Sequence, residues 1–241
     1  MGGAFGPWCR AYTKGGMPER LEELPLFPLR TVLFPHATLR LHVFEERYRI
    51  MIHDCLRTDA PFGIALIRHG DETGVAEPYL VGTVARITKV ETYDDGRMDI
   101  EVQGERRFRI RDLDDETRPY LLGHVETVEE HGDPDPLDET VVEARETFVA
   151  LVRRYFERQK FAVQVVFPPD PKMLSFTIAN LLPVDDLVKQ RLLEISDTLD
   201  RLDEMLPYLR AALQEVEPIE TRGHSFVPLG SNDLSEWANP N

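Results

Sequence analysis

The chain has 241 residues, of which 43 are acidic and 28 basic, so that it carries a net charge of −15 with 42% hydrophobic content. That supply of apolar residues can fill one sizeable core or two smaller contiguous ones, whereas so acidic a balance argues against nucleic acid as a partner, because phosphate binding needs a concentrated basic surface. No apolar run reaches the ~20 residues that span a bilayer, the first 20 residues lack a signal peptide's apolar core, and Cys9 and Cys55 form neither a disulfide framework nor a zinc cage, so a cytoplasmic protein without a membrane partner is expected.

Residues 1–20, which include MGGAFGPWCRAYTKGG, read as a disordered or misassigned extension, with Met17 as a second candidate start. The stretch LPLFPLRTVLFPHATLRLHVFEERYRIMI, residues 24–52, then prescribes strand, turn, strand and helix. Pro25, Pro28 and Pro35 each deny a ladder donor and fix φ, which breaks the chain into short extended pieces. Thr38 to Val43 alternates Leu39, Leu41 and Val43 with Arg40 and His42, as a half-buried strand does. Glu45 and Glu46 follow, where carboxylates favour a helix start.

Gly82 to Glu91 is apolar on both parities, which predicts a strand covered on both faces. Asp94-Asp95-Gly96 supplies a turn into a second strand, giving a hairpin. On that strand Met98, Ile100, Val102, Phe108 and Ile110 share one parity, opposite Asp99, Glu101, Glu105, Arg107, Arg109 and Arg111. The arginine cluster of Arg106, Arg107, Arg109 and Arg111 is therefore expected to lie mainly on a solvated, self-neutralising sheet face. Tyr120 to Val128 reads as the closing strand. EEHGDPDPLDE follows, and its residues 129–136 are predicted to be an acidic surface linker or hinge.

Beyond the linker the hydrophobic period changes from two to 3.6. Val141, Ala144, Phe148, Leu151, Val152 and Tyr155 mark a long helix, and Leu174, Ile178 and Leu181 a second. Leu187, Leu192 and Leu193 mark a third, and Leu199, Leu202, Met205, Leu206 and Leu209 a fourth. Ser196 or Asp197 can cap the last, which Pro207 should kink or divide. Between the first two helices Phe161, Val163, Val165 and Phe167 alternate with Ala162, Gln164 and Val166 before Pro168-Pro169. In an extended conformation these four side chains share a face. That face either packs between the two halves of the molecule or forms an apolar groove that captures polypeptide. Residues 217–241 read as a tail.

Catalytic chemistry has no foothold in these residues. None of Lys14, Lys89, Lys160, Lys172 and Lys189 continues as Lys-Ser or Lys-Thr, so there is no phosphate-cradling loop. Ser175 lies near Lys172 and Lys189 in sequence but within a run that reads as bundle helix. GHSFV, residues 223–227, lacks the second glycine of a nucleophile elbow. No pair of the seven histidines has metal-ligand helical spacing beside a glutamate. Catalytic, metal and cofactor residues are therefore none.

Three segments in order resemble the Lon protease N-terminal domain: residues 24–52, GTVARITKVETYDDGRMDIEVQGERRFRI at 82–110, and SFTIANLLPVDDLVKQRLLEISDTLDRLDEML at 175–206. The resemblance covers residues 21–216. It implies an α+β protein in which a PUA-like β-barrel subdomain, residues 21–128, precedes a helical bundle, residues 137–216. It also implies a non-enzymatic module that binds unfolded polypeptide or a protein client, linked to proteolysis through a separate protease. In the protease, ATP hydrolysis and peptide cleavage belong to domains that follow this one. An RNA-binding PUA-like module is the alternative reading.

Overall fold

The computed structural model describes residues 21–71, 76–158 and 167–215. In chain order these form strands β1 (Glu22–Leu29) and β2 (Thr38–Val43), helix α1 (Glu46–Thr58), and strands β3 (Phe62–Gly70), β4 (Ala76–Pro78), β5 (Val81–Thr92), β6 (Met98–Asp114) and β7 (Leu122–Thr127). Four helices follow: α2 (Glu139–Arg158), α3 (Pro171–Leu181), α4 (Asp186–Glu194) and α5 (Thr198–Glu215).

The prolines of β1 do not end the strand. They coincide with a change of partner. Glu22 to Pro25 pairs antiparallel with β7, and Leu26 to Leu29 pairs parallel with β3. The sheet runs β1-β7-β6-β5-β3-β4, and the β1–β3 pairing gives β1, β7, β6, β5 and β3 a neighbour on both sides. Strand β2 stands off this path, paired with the first half of β6 from Thr38↔Gln103 to Val43↔Met98. The hairpin expected at Asp94-Asp95-Gly96 joins β5 to β6, with Gly96 at φ 81° and its N–H donating to Tyr93 O.

Long β6 passes close beneath the β1–β2 connection, and glycine permits this. A Cβ on Gly104 would lie 2.3 Å from the carbonyl oxygen of Phe34. His36 N–H donates to Gly104 O at 2.8 Å, and Gly104 N–H donates to Ala37 O at 2.9 Å. One apolar cluster lies between the sheet and α1, built from Phe27, Met51, Ile52, Phe62, Ile64, Ile100 and Val102. A smaller one joins Leu24, Leu26, Phe108, Ile110 and Val125.

The third and largest cluster is shared between strands and helices. Val32, Phe34, Leu66 and Val81 pack with Val141, Phe148, Leu174, Ile178, Leu202 and Leu209. The bundle stripes are thus core as the 3.6 period required, except that Leu187 is 61% exposed and lies off the buried face of α4 and that Tyr155 is only half-buried, its ring against that of Phe156. Local chemistry sets the helix ends. Asp170 accepts from Lys172 and Met173 N–H ahead of Pro171, Asp185 accepts from Val188 N–H, and Asp197 accepts from Leu199 and Asp200 N–H. Pro207 sits on the exposed side of α5, which continues through it undivided.

Candidate functional site

The arginine cluster of β6 requires a correction. Arg107 is 1% exposed, because the parity opposite the sheet core is covered here by α4 and α3 rather than by water. Its Nη1 donates to the carbonyls of Leu193 and Ile195, and its Nε donates to Glu130. Arg201 of α5, fully buried, meets the other oxygen of the same carboxylate at 3.3 Å and stacks 4.0 Å above the Phe176 ring. Burial lowers both guanidinium pKa values, that of Arg201 to about 10, with Glu130 opposing the shift. The other clustered arginines remain near water: Arg106 pairs with Glu22 at 2.6 Å and Arg111 with Glu126, while Arg109 is half-buried and makes no ion pair among the described residues.

The acidic segment therefore begins as a docked joint. Besides the Glu130 carboxylate, His131 forms a parallel bridge with Asp197: its N–H donates to Ser196 O at 2.8 Å, and Thr198 N–H donates to its carbonyl at 3.1 Å. Gly132 takes φ 73°, and a Cβ there would lie 2.7 Å from an Asp197 carboxylate oxygen.

Ser175 is structural in its contacts. Its hydroxyl, fully buried, donates to Lys172 O at 2.7 Å and accepts from Arg201 Nε at 3.0 Å. Lys189 Nζ is directed to Asn180 O at 2.9 Å. Cys55 is buried, and desolvation pushes its thiol up to about 11, so it supplies no thiolate near neutrality. Among the described residues no group of three or more His, Cys, Asp or Glu side chains is placed to hold a metal ion. No helix among them is long and apolar enough to cross a membrane.

Of the four predicted polypeptide-binding residues, Phe161, Val163 and Val165 lie outside the described residues. Phe167 is half-buried and packs on the helical core, its ring 5.4 Å from that of Phe148. Two further surfaces have the shape of sites. A cleft of about 470 Å³ between the end of α1 and strands β1 and β7 is lined by Asp54, Arg57, Arg118, Tyr120 and His124. Asp54 accepts from Arg57 at 3.0 Å and from Tyr120 Oη at 3.1 Å, and those two bonds hold its carboxyl below the usual range.

The other surface is aromatic. Phe44, just beyond β2, is 53% exposed, and Tyr93, just beyond β5, is 39% exposed. His42 lies between them, with ring centroids 6.0 Å from Phe44 and 6.4 Å from Tyr93. Asp99 on β6 fixes the group: its two oxygens meet His42 Nδ1 and Tyr93 Oη, each at 2.6 Å. Those contacts lower the Asp99 pKa, Tyr93 contributing most, and the same carboxylate raises that of Tyr93. Sequence reasoning passes over this platform, although a signal is present. Phe44 continues the outward parity of Arg40 and His42, where an aromatic side chain has no core to enter.

A family model described as the ATP-dependent protease La (LON) substrate-binding domain matches residues 23–211. The chain belongs to this Lon substrate-binding domain family. It is 28% identical over 210 residues to Lon protease 2 of Syntrophobacter fumaroxidans, covering 85% of this chain and 26% of that protein. It is 30% identical to a Schizosaccharomyces pombe protein named for a LON peptidase N-terminal domain and a RING finger, covering 82% of this chain and 46% of that one. The crystal structure of a Lon N-terminal domain protein from Xanthomonas campestris superposes with a TM-score of 0.61 at 29% identity, over 78% of this chain and 98% of that one. The chain thus spans about a quarter of the length of the Lon protease and matches the substrate-binding part of the family.

Proposed function

We propose that this Lon-family domain is a non-enzymatic recognition module for polypeptide, delivering unfolded segments or a protein client to a separate protease in the cytoplasm, on a β subdomain of PUA-like type. Membership of a substrate-binding family supports the general reading. The observation that carries it is the Phe44–His42–Tyr93 platform: His42 and Tyr93 are held by Asp99, and Phe44 lies exposed beside the His42 ring, an aromatic surface for a partner to cover. Phe161, Val163, Val165 and Phe167 are proposed as a second polypeptide contact, of which Phe167 is anchored beside Phe148.

Phosphate recognition is disfavoured by the same geometry, because Arg107 is buried and Arg106 and Arg111 are already neutralised by carboxylates, which leaves Arg109 alone where phosphate binding needs a concentrated basic surface. The test is binding of reduced, carboxamidomethylated lysozyme, which stays unfolded. Replacing Phe44 and Tyr93 together by Ser weakens binding and leaves the melting temperature nearly unchanged. Unaltered binding by a folded double variant removes the platform from the site.

A further inference from the structure

We infer that the outer edge of β2, beside the aromatic platform, receives an extended client segment as an added β-strand; this rests on the reading of the protein as a polypeptide-binding module. The register decides which backbone groups are available. Gly104 N–H donates to Ala37 O, so the Ala37↔Gly104 pair is bonded, and in an antiparallel ladder every second pair after it is bonded too. Leu39, Leu41 and Val43 therefore spend their N–H and C=O groups on β6. Those of Thr38, Arg40 and His42 point away from it. Among the described residues no hydrogen bond reaches these outward groups.

Edges left like this are usually guarded by proline, a bulge or a charge aimed along the sheet. Strand β2 contains no proline, and its pairing with β6 has no register shift. Two of its outward polar side chains are drawn sideways onto β6, Arg40 to Glu101 at 3.2 Å and His42 to Asp99 at 2.6 Å. Leu39 and Leu41, each only partly buried, supply an apolar row that an incoming strand continues with alternate side chains.

Charge selects the occupant. In a chain of net charge −15, a second copy is repelled, and antiparallel β2–β2 pairing centred on Arg40 sets two guanidinium groups opposite each other. A client segment that carries no net negative charge, sets apolar side chains beside Leu39 and Leu41 and places no cation opposite Arg40 meets neither penalty.

The first experiment follows backbone amide exchange on the full chain with carboxamidomethylated lysozyme as the probe. Exchange at Thr38, Arg40 and His42 slows by about tenfold or more on binding, while the already bonded Leu39 and Leu41 change little. The second uses Arg40→Pro, which deletes an outward N–H and spares the ladder to β6. It weakens probe binding by about tenfold or more, whereas Glu101→Gln, which removes the Arg40 ion pair and leaves the edge intact, binds as the parent does. Unchanged exchange at the three outward amides in a bound complex overturns the edge and leaves the recognition function standing. Failure of the parent chain to bind the probe at all overturns the recognition function itself. If Arg40→Pro instead dissolves a dimer without affecting probe binding, the edge belongs to a second copy and the inference is wrong.

Discussion

Arg201 and Glu130, 71 residues apart in the chain, meet at 3.3 Å where the helices close on the sheet. Arg107 shares that carboxylate, so one anion balances two guanidinium groups that have no exposure of their own. The arrangement is worth little as a net ion pair, since desolvation offsets most of the attraction, but it is costly to break.

Replacing Glu130 with Ala leaves both cations buried and uncompensated. The expected loss is about 3 kcal/mol or more in urea-induced unfolding, accompanied by a lower melting temperature. A loss below about 1 kcal/mol would show that water or another carboxylate balances the pair.

Gly104→Ala tests the close passage of β6 beneath Phe34. The added methyl meets a backbone oxygen at 2.3 Å, which no rotamer change relieves. Destabilisation of about 1–3 kcal/mol is expected by chemical denaturation. A neutral substitution would mean that β6 and the β1–β2 connection separate easily.

Ser175→Ala separates structure from catalysis. Removal of the hydroxyl takes an acceptor from Arg201 Nε in a buried site, with an expected cost of about 1–3 kcal/mol. A fluorophosphonate probe is expected to leave Ser175 unlabelled in the native chain. Labelling at Ser175, abolished by the same substitution, would contradict the structural role.

Cys55 gives an alkaline signature whose sign follows from its shift. Burial raises the folded thiol from 9.0 to about 11, so the native state holds this proton through a window in which the unfolded chain releases it. The stability it contributes is fully present below pH 9 and is lost as pH rises towards 11. Cys55→Ala reduces that part of the alkaline slope in denaturation curves. In a Cys9→Ser background the native protein reacts slowly with a disulfide reagent at pH 8 and rapidly once unfolded.

Much of the fold is legible in local pattern alone. Alternation marks β2 as Thr38 to Val43, the same bounds that the strand has. Asp94-Asp95-Gly96 marks its hairpin because a positive φ at Gly96 is a local requirement. Asp197 is readable as a cap for the same reason. What pattern cannot supply is the covering layer. Alternation puts Arg107 opposite the sheet core, but whether water or a helix lies there depends on α4, some 80 residues later, docking onto β5 and β6. Glu130 is hidden likewise, since its partners come from β6 and α5. The aromatic platform depends on bringing the ends of β2 and β5 together across Asp99, a relation visible only once the register is known.

Polypeptide recognition by this domain is tested most directly by a titration of the full chain against reduced, carboxamidomethylated lysozyme and against the native, folded form, repeated from low to high salt. Saturable binding of the unfolded form alone is expected, retained at high salt because apolar contacts and strand pairing carry it. Equal binding of the folded form, or a steep loss with salt of the kind that counterion release produces, would contradict it.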